Sequence, residues 1–412
     1  MMSLAVPSLV DVPPRRSDEA RTLAAVFSRT LRAIRKHLGM DVAFISEFEA
    51  GRRRFRHVDT ERPGQPIQVG DSDPLDASYC QRVIDGRLPE LMANAAENAE
   101  ALTLPATLAL PVGAHLSVPI RLSDGRVFGT FCCFSALPNY GLTARDLDVM
   151  RVFAEVVADQ IERVLVQRDE HAAALRRIDG VLRSAALMLR YQPIFDIARN
   201  RIVGFESLTR FSAEPQRGPD QWFAEAAAVG RGVELEALAI RLALPALLQL
   251  EPEVYLSVNA SPATLVSGRL GELLQDLPLQ RVIVEVTEHE AVERYDELLA
   301  AIRPLQEQGL RIAIDDAGAG YASFRHILVL APHLIKLDVS ITRGIDGDPA
   351  RRALAAALCG FAAETGCGIV AEGVETTAEL AVLRKLGFNN VQGYLIGRPM
   401  PLDQAAALCA PQ

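Results

Sequence analysis

The chain has 412 residues, enough for two ordinary domains with a hydrophobic core each. Its 49% apolar and 23% charged residues exclude a disordered or fibrous protein, and a net charge of -9 leaves no broad basic surface for a nucleic-acid polymer. No apolar run reaches the roughly 18 residues of a membrane span, so a soluble protein without membrane partners is expected.

The opening MMSLAVPSLVDVPPRR is broken by Pro7, Asp11 and a proline pair, which predicts a frayed arm rather than a secretion signal. From Ser17 as N-cap, Leu23, Val26, Phe27, Leu31, Ile34 and Leu38 predict an amphipathic helix ending near Gly39. Strand-like runs follow in DVAFISEFE, FRHVDT, HLSVPIRL and VFGTFCCF, the last two joined by a hairpin signal at Asp124-Gly125. Helix, strands and hairpin make an α+β unit the size of a sensor domain, spanning 17–165. Cys80, Cys132, Cys133, Cys359, Cys367 and Cys409 form no CxxC pair and have no histidine at a zinc-site spacing. They read as reduced core thiols, which suits the cytoplasm. Adjacent Cys132 and Cys133 should point to opposite faces of a strand.

After Pro138 the pattern is helical to about Leu187, with Thr143 as N-cap. Leu147, Met150, Ala154, Val157, Ile161 and Val164, then Arg168 and His171, then Leu175, Ile178 and Leu182 keep a three-four alternation. The first half of this seam reads as packing on its own domain. Beyond Val164 it predicts a parallel two-helix contact, hence a homodimer, with 166–188 as a signalling linker.

From Leu189 strands alternate with helical stretches, eight strand candidates in all, which predicts a parallel (β/α)8 barrel over 189–412. In such a barrel the working residues sit at the C-terminal strand ends. Those ends carry Glu206, Asn259, Glu285 with Glu288, Asp315 with Asp316, Lys336 with Asp338, Glu372 with Glu375, and Gln392. One such acid alone reads as a helix cap or a solvated loop residue; recurrence on strand after strand overturns that reading. Carboxylates converging on one face need cations between them, and hard oxygen donors without cysteine or histidine point to magnesium or manganese. Two ions suit hydrolysis of a phosphodiester.

In order, YQPIFD, GFESLTR, SVNAS, VEVTE, IDDAGAGYAS, IKLD, VAEGVE and QGYLIGRP resemble the EAL-domain phosphodiesterases, from Leu189 to Pro401. The resemblance implies a modified TIM barrel that commonly dimerises and hydrolyses cyclic di-GMP to linear pGpG. It further implies one metal on Glu206, Asn259, Glu285 and Asp315, and a second on Asp315, Asp316 and Glu372. Lys336 would polarise the attacking water, Glu288 would anchor the loop after Asp316, and Glu375 and Gln392 match positions in the site. Gln192 and Arg210 resemble substrate contacts. Two departures stand out: Ser207 in the motif that names the family, and Ala317 with Ala319 where the family more often has an aromatic and a threonine. A barrel that binds cyclic di-GMP without cutting it is the rival expectation.

Residues 17–165 resemble a GAF domain through DASYCQRVIDGRLPEL, GAHLSVPIRLSDGRVFGTFCCF and the helix that follows. The asparagine-lysine-phenylalanine motif of cyclic-nucleotide-binding relatives is missing, and no Cys-His dipeptide supports a covalent bilin at Cys80. His115 beside a strand reads either as a contact to haem or flavin or as a hydrogen-bonded core residue. The expectation is a pocket with no ligand or an unknown one.

Overall fold

A computed structural model of the chain describes residues 17–61, 67–109, 112–286, 294–318 and 322–409. The expected frayed arm, Glu288 and Ala319 lie outside them. The chain divides into two compact units between Asp169 and Glu170.

The first unit is built on six strands: β1 (Val42–Glu49), β2 (Arg52–Thr60), β3 (Ser72–Pro74), β4 (Leu91–Met92), β5 (Ala114–Arg121) and β6 (Val127–Ser135). They form one sheet in the order β3-β2-β1-β6-β5-β4. The strand period of two gives each face its own core. Ala43, Ile45 and Cys133 pack under the helices Ser17–His37 and Ala144–Ser184, against Leu31, Ile34, Met150 and Val157. Val42, Phe44, Cys80 and Cys132 pack on the opposite face, so the two adjacent cysteines do point apart. β3 and β4, of three and two residues, are too short to show periodicity and were not foreseen. His115 is 3% exposed and packs its ring 4.7 Å from that of Tyr79; burial pushes its pKa down to about 3 and keeps it neutral.

The helix Ala144–Ser184 starts after Thr143, whose amide and hydroxyl both donate to the Asp146 carboxylate. Met150, Ala154, Val157 and Ile161 lie in the first unit's core, as read from the seam. The end of the seam departs from expectation. Ile178 and Val181 are buried with Leu187, Trp222, Ala226, Leu235 and Leu238 of the second unit, so that stretch is covered within the chain instead of waiting for a second helix. Arg231 adds an ion pair to Asp179 at 3.2 Å. No helix among the described residues is long and apolar enough to cross a membrane.

The second unit is a closed barrel of β7 (Leu187–Asp196), β8 (Arg201–Phe211), β9 (Tyr255–Ala260), β10 (Val282–Val286), β11 (Arg311–Ala317), β12 (Leu334–Leu337), β13 (Gly368–Ala371) and β14 (Asn390–Gln392). All eight predicted strands form. One runs against the expected direction: β7 is antiparallel to both β8 and β14. The cause is local. Only Ile197 to Asn200 separate β7 from β8, Asp196 Oδ1 accepts from the amides of Ala198 and Arg199, and Asn200 takes a left-handed φ of 53°. A hairpin fits in four residues, whereas a parallel crossover needs a dozen or more. The predicted helical stretch from Pro219 to Leu250 is also broken, at Gly230 with φ 73°.

Candidate active site

The barrel interior is layered by the same period of two. Ile194, Tyr255, Ile283, Ala313, Leu334 and Val370 fill one apolar layer. The Tyr255 ring crosses to Gly204, where an added Cβ would lie 2.3 Å from a ring carbon, so only glycine fits on β8 at that level. Two residues further toward the mouth, the inward positions are polar on every one of these strands: Ser257, Glu285, Asp315, Lys336 and Glu372, with Glu206 following Gly204. β7 runs in reverse, so its contribution, Gln192, precedes Ile194 and pairs with Glu206 in register. One stacking rule thus brings together side chains as far apart in sequence as Gln192 and Glu372.

Lys336, 1% exposed, stands at the centre. Its Nζ lies 2.6 Å from Glu372 Oε1, 2.8 Å from Glu285 Oε2, 3.0 Å from Asp315 Oδ1 and 3.2 Å from Glu206 Oε2. Around it, Glu206 accepts from Gln392 Nε2 at 2.7 Å and from Asn259 Nδ2 at 3.1 Å, and Ser257 Oγ donates to Glu285 Oε1 at 2.5 Å. Gln392 Nε2 also donates to Gln192 Oε1 at 3.2 Å. Burial pulls the Lys336 pKa down, but Asp315, Glu206, Glu285 and Glu372 outweigh it and hold the ammonium well above its usual range. One lysine balances only part of the charge of four carboxylates. Burial and the neighbouring Glu206 charge push Glu285 well above the carboxylate range, and burial above all pushes Glu372 the same way. Burial acts on Glu206 too, yet Lys336, Gln392 and Asn259 together keep its pKa low.

Asp315 and Asp316 would point to opposite faces of a regular strand. The β11–β12 ladder instead slips between Ile314 and Ala317, and Asp316 takes a φ of 53°. A bulge of this kind re-aims side chains beside active sites. The result is two oxygen clusters sharing Asp315: one oxygen each from Glu206, Glu285 and Asp315 lie within 4.8 Å of one another, as do one each from Asp315, Asp316 and Glu372.

A cavity of about 320 Å³ opens on this cluster, lined also by Arg343, Glu375 and Tyr394. Arg343 ion-pairs with Glu375. Glu379 holds the strand-end loop in place, its carboxylate accepting from the amides of Gly344, Glu375 and Thr376 at 2.8 to 2.9 Å. Arg210 lies in a neighbouring cavity of about 370 Å³ with Asn259, Ser261 and Asp220, and donates to Thr209 O at 2.8 Å. Asp338, grouped with Lys336 by sequence, is only a helix cap: it accepts from Ser340 N at 2.9 Å. Glu288 falls outside the described residues. Sequence reasoning missed Ser257, although it follows Tyr255 by two residues, and it missed Arg343, which sits in a loop after a four-residue helix without a periodic signal.

An eight-stranded barrel with a polar mouth, following an α+β sheet unit, defines a two-domain chain whose second half has the layout of a barrel enzyme. The chain belongs to the EAL domain family, whose model matches residues 173–399, and it carries a GAF domain at residues 22–161. It is 32% identical over 254 residues to the bifunctional diguanylate cyclase/cyclic di-GMP phosphodiesterase MucR of Pseudomonas aeruginosa, covering 58% of this chain and 37% of MucR. To the cyclic di-GMP phosphodiesterase NbdA of the same organism it is 29% identical over 306 residues, covering 71% of this chain and 38% of NbdA. The solved PaMucR phosphodiesterase, a complex with c-di-GMP, is 29% identical, covers 57% of this chain and 99% of its own, and superposes with a TM-score of 0.51. The chain spans well under half of the length of the curated relatives it matches, for example 30% of one and 38% of another.

Proposed function

We propose that the second unit hydrolyses cyclic di-GMP to linear pGpG with the help of two divalent ions, magnesium or manganese. The observation that carries the reading is the pair of oxygen clusters joined at Asp315. The donors fit hard cations: all are oxygens, and they hold more negative charge than Lys336 balances. Gln392 Oε1 is also buried without a hydrogen-bond partner among the described residues, which leaves a buried acceptor on a residue that lines the same cavity. Glu206, Glu285, Asp315 and the amide oxygen of Asn259 would hold one ion, and Asp315, Asp316 and Glu372 the other. Such ions supply charge at the phosphoryl oxygens and acidify a water.

The remaining steps belong to the protein. Lys336 orients the attacking water and offsets charge growing on the phosphoryl group. Burial raises the pKa of Glu285 and Glu372 in the ion-free protein, and a cation held beside them would favour their carboxylate forms. Gln192, Gln392 and Arg210 position the dinucleotide, the guanidinium matching a phosphate by shape and charge. Glu375, held by Arg343, lines the cavity with Gln192 and Gln392. The GAF unit sets the output through the helix Ala144–Ser184, with or without a ligand of its own, and six cysteines without a disulfide support a cytoplasmic location.

Purified protein incubated with cyclic di-GMP and magnesium or manganese is expected to release pGpG on chromatography. Tight binding without product would instead make the barrel a receptor. We extend the proposal to a homodimer, because Val152, Val156 and Val166 on the long helix remain more than half exposed, at 58%, 53% and 55%. Sedimentation should show a dimer at micromolar concentration; a monomer throughout would refute that part alone.

A further inference from the structure

The first unit buries a group of polar side chains that the barrel chemistry does not use. Arg53 on β2 is 7% exposed and stacks over the rings of Phe55 and Phe44, at 4.7 and 5.7 Å. One edge of its guanidinium, Nε and Nη2, donates to the Asp73 carboxylate, with Nε to Oδ1 at 3.0 Å. Its remaining nitrogen, Nη1, donates to Cys80 Sγ at 3.1 Å. Cys80 Sγ in turn lies 3.5 Å from Cys132 Sγ on β6, and Cys132 is further held by Ser117 Oγ at 3.0 Å and Thr130 Oγ1 at 3.1 Å. Both sulfurs are completely buried.

The two cysteines are not equivalent. Burial opposes ionisation of Cys80, but the hydrogen bond from Cys132 and the Arg53 charge overcome it and bring its pKa down to about 5. Burial leads in pushing Cys132 well above the thiol range. Burial likewise raises Cys133, Cys359, Cys367 and Cys409. One thiolate beside one thiol, with a fixed cation on the first, is the division of labour of an attacking and a resolving cysteine.

The geometry points to a peroxide-reactive dithiol in the GAF unit, in which Cys80 reduces a hydroperoxide and then closes a reversible disulfide with Cys132. In the first step Cys80 sulfur attacks the outer peroxide oxygen, the O–O bond breaks, and the alcohol, or water from hydrogen peroxide, leaves with a proton. Cys80 is then a sulfenic acid. In the second, Cys132 sulfur attacks Cys80 sulfur, the S–O bond breaks, and the hydroxide departs as water with the Cys132 proton. Two thiols lose two electrons and the peroxide gains them. The sulfurs need to approach from 3.5 Å to about 2.05 Å. Entry falls to a small uncharged oxidant during local opening, for which β3, a three-residue edge strand bearing Asp73, is the weakest cover.

This inference does not depend on the phosphodiesterase reading, and its test does not measure turnover. The full reduced chain is treated with hydrogen peroxide at neutral pH, then analysed by intact mass and non-reducing peptide mapping. The expected result is a loss of about 2 Da, a linked peptide joining Cys80 to Cys132, and full reversal by dithiothreitol. In Cys132→Ala the 2 Da loss should disappear and Cys80 should gain oxygen instead. Cys80 and Cys132 left as free thiols while Cys359, Cys367 or Cys409 oxidise would overturn the proposal. So would a disulfide to any other cysteine.

Discussion

Lys336→Met is expected to lower cyclic di-GMP turnover by about 10² to 10³-fold, the usual effect of losing one preorganised donor at a developing charge, while binding changes only a few-fold. Methionine matches the lysine stem in length, so the buried channel stays filled. What disappears is the ammonium that pairs with Glu206, Glu285, Asp315 and Glu372. Removing one member of a buried ion cluster destabilises a protein by about 3–5 kcal/mol, because the partner charges stay behind. Here a divalent ion can take over. The variant should therefore melt lower than the parent without metal, and its melting temperature should rise more on adding manganese. Calorimetric titration of cyclic di-GMP without divalent ions reads binding apart from metal-dependent turnover. Parental kcat in Lys336→Met would remove the lysine from the mechanism, and lost binding would make it a substrate anchor.

How far the sequence reached can be read from particular residues. The eight barrel strands were legible because each is a short apolar run closed by a polar residue, and Glu206, Glu285, Asp315, Lys336, Glu372 and Gln392 do meet around one centre. The direction of β7 was not legible from its composition, which suits a parallel or an antiparallel strand equally; only the four-residue connection to β8 decides it. The bulge that turns Asp316 toward Asp315 was also hidden, since no glycine or proline marks it within the strand. Asp338 shows the opposite failure. It has the right residue type beside Lys336, yet the chain turns there into a helix and uses it as a cap.

The cover of the connector and the neighbour of Cys80 were hidden for a different reason, which is that heptad spacing and local motifs say nothing about distant partners. Ile178 keeps its step in the seam, but the surface that covers it comes from Trp222, Ala226 and Leu238 of the same chain. Cys80 and Cys132 are 52 residues apart in sequence, and only the packing of the helix Tyr79–Ile84 against β6 brings their sulfurs together.

Glu206→Ala and Glu206→Gln should both lose turnover by about 10³-fold, since an ion acting as Lewis acid is worth several kcal/mol and 1.4 kcal/mol is a factor of ten. The pair separates a metal role from a structural one. Glu206 is 6% exposed and accepts from Gln392, Asn259 and Lys336. Alanine strands Asn259 Nδ2 in a buried site, a loss of about 1–3 kcal/mol, while Gln392 keeps Gln192 Oε1 and Lys336 keeps Glu285, Asp315 and Glu372. Glutamine keeps the volume and one carbonyl oxygen, so it retains part of the network while giving up the charge. A purely structural Glu206 therefore predicts that glutamine rescues much of what alanine loses. The metal reading predicts no rescue of activity, a near-parental melting temperature for glutamine without metal, and a much reduced manganese-induced rise in that temperature. Substantial turnover by Glu206→Gln, with its manganese response intact, would show that the ion cluster does not depend on this carboxylate.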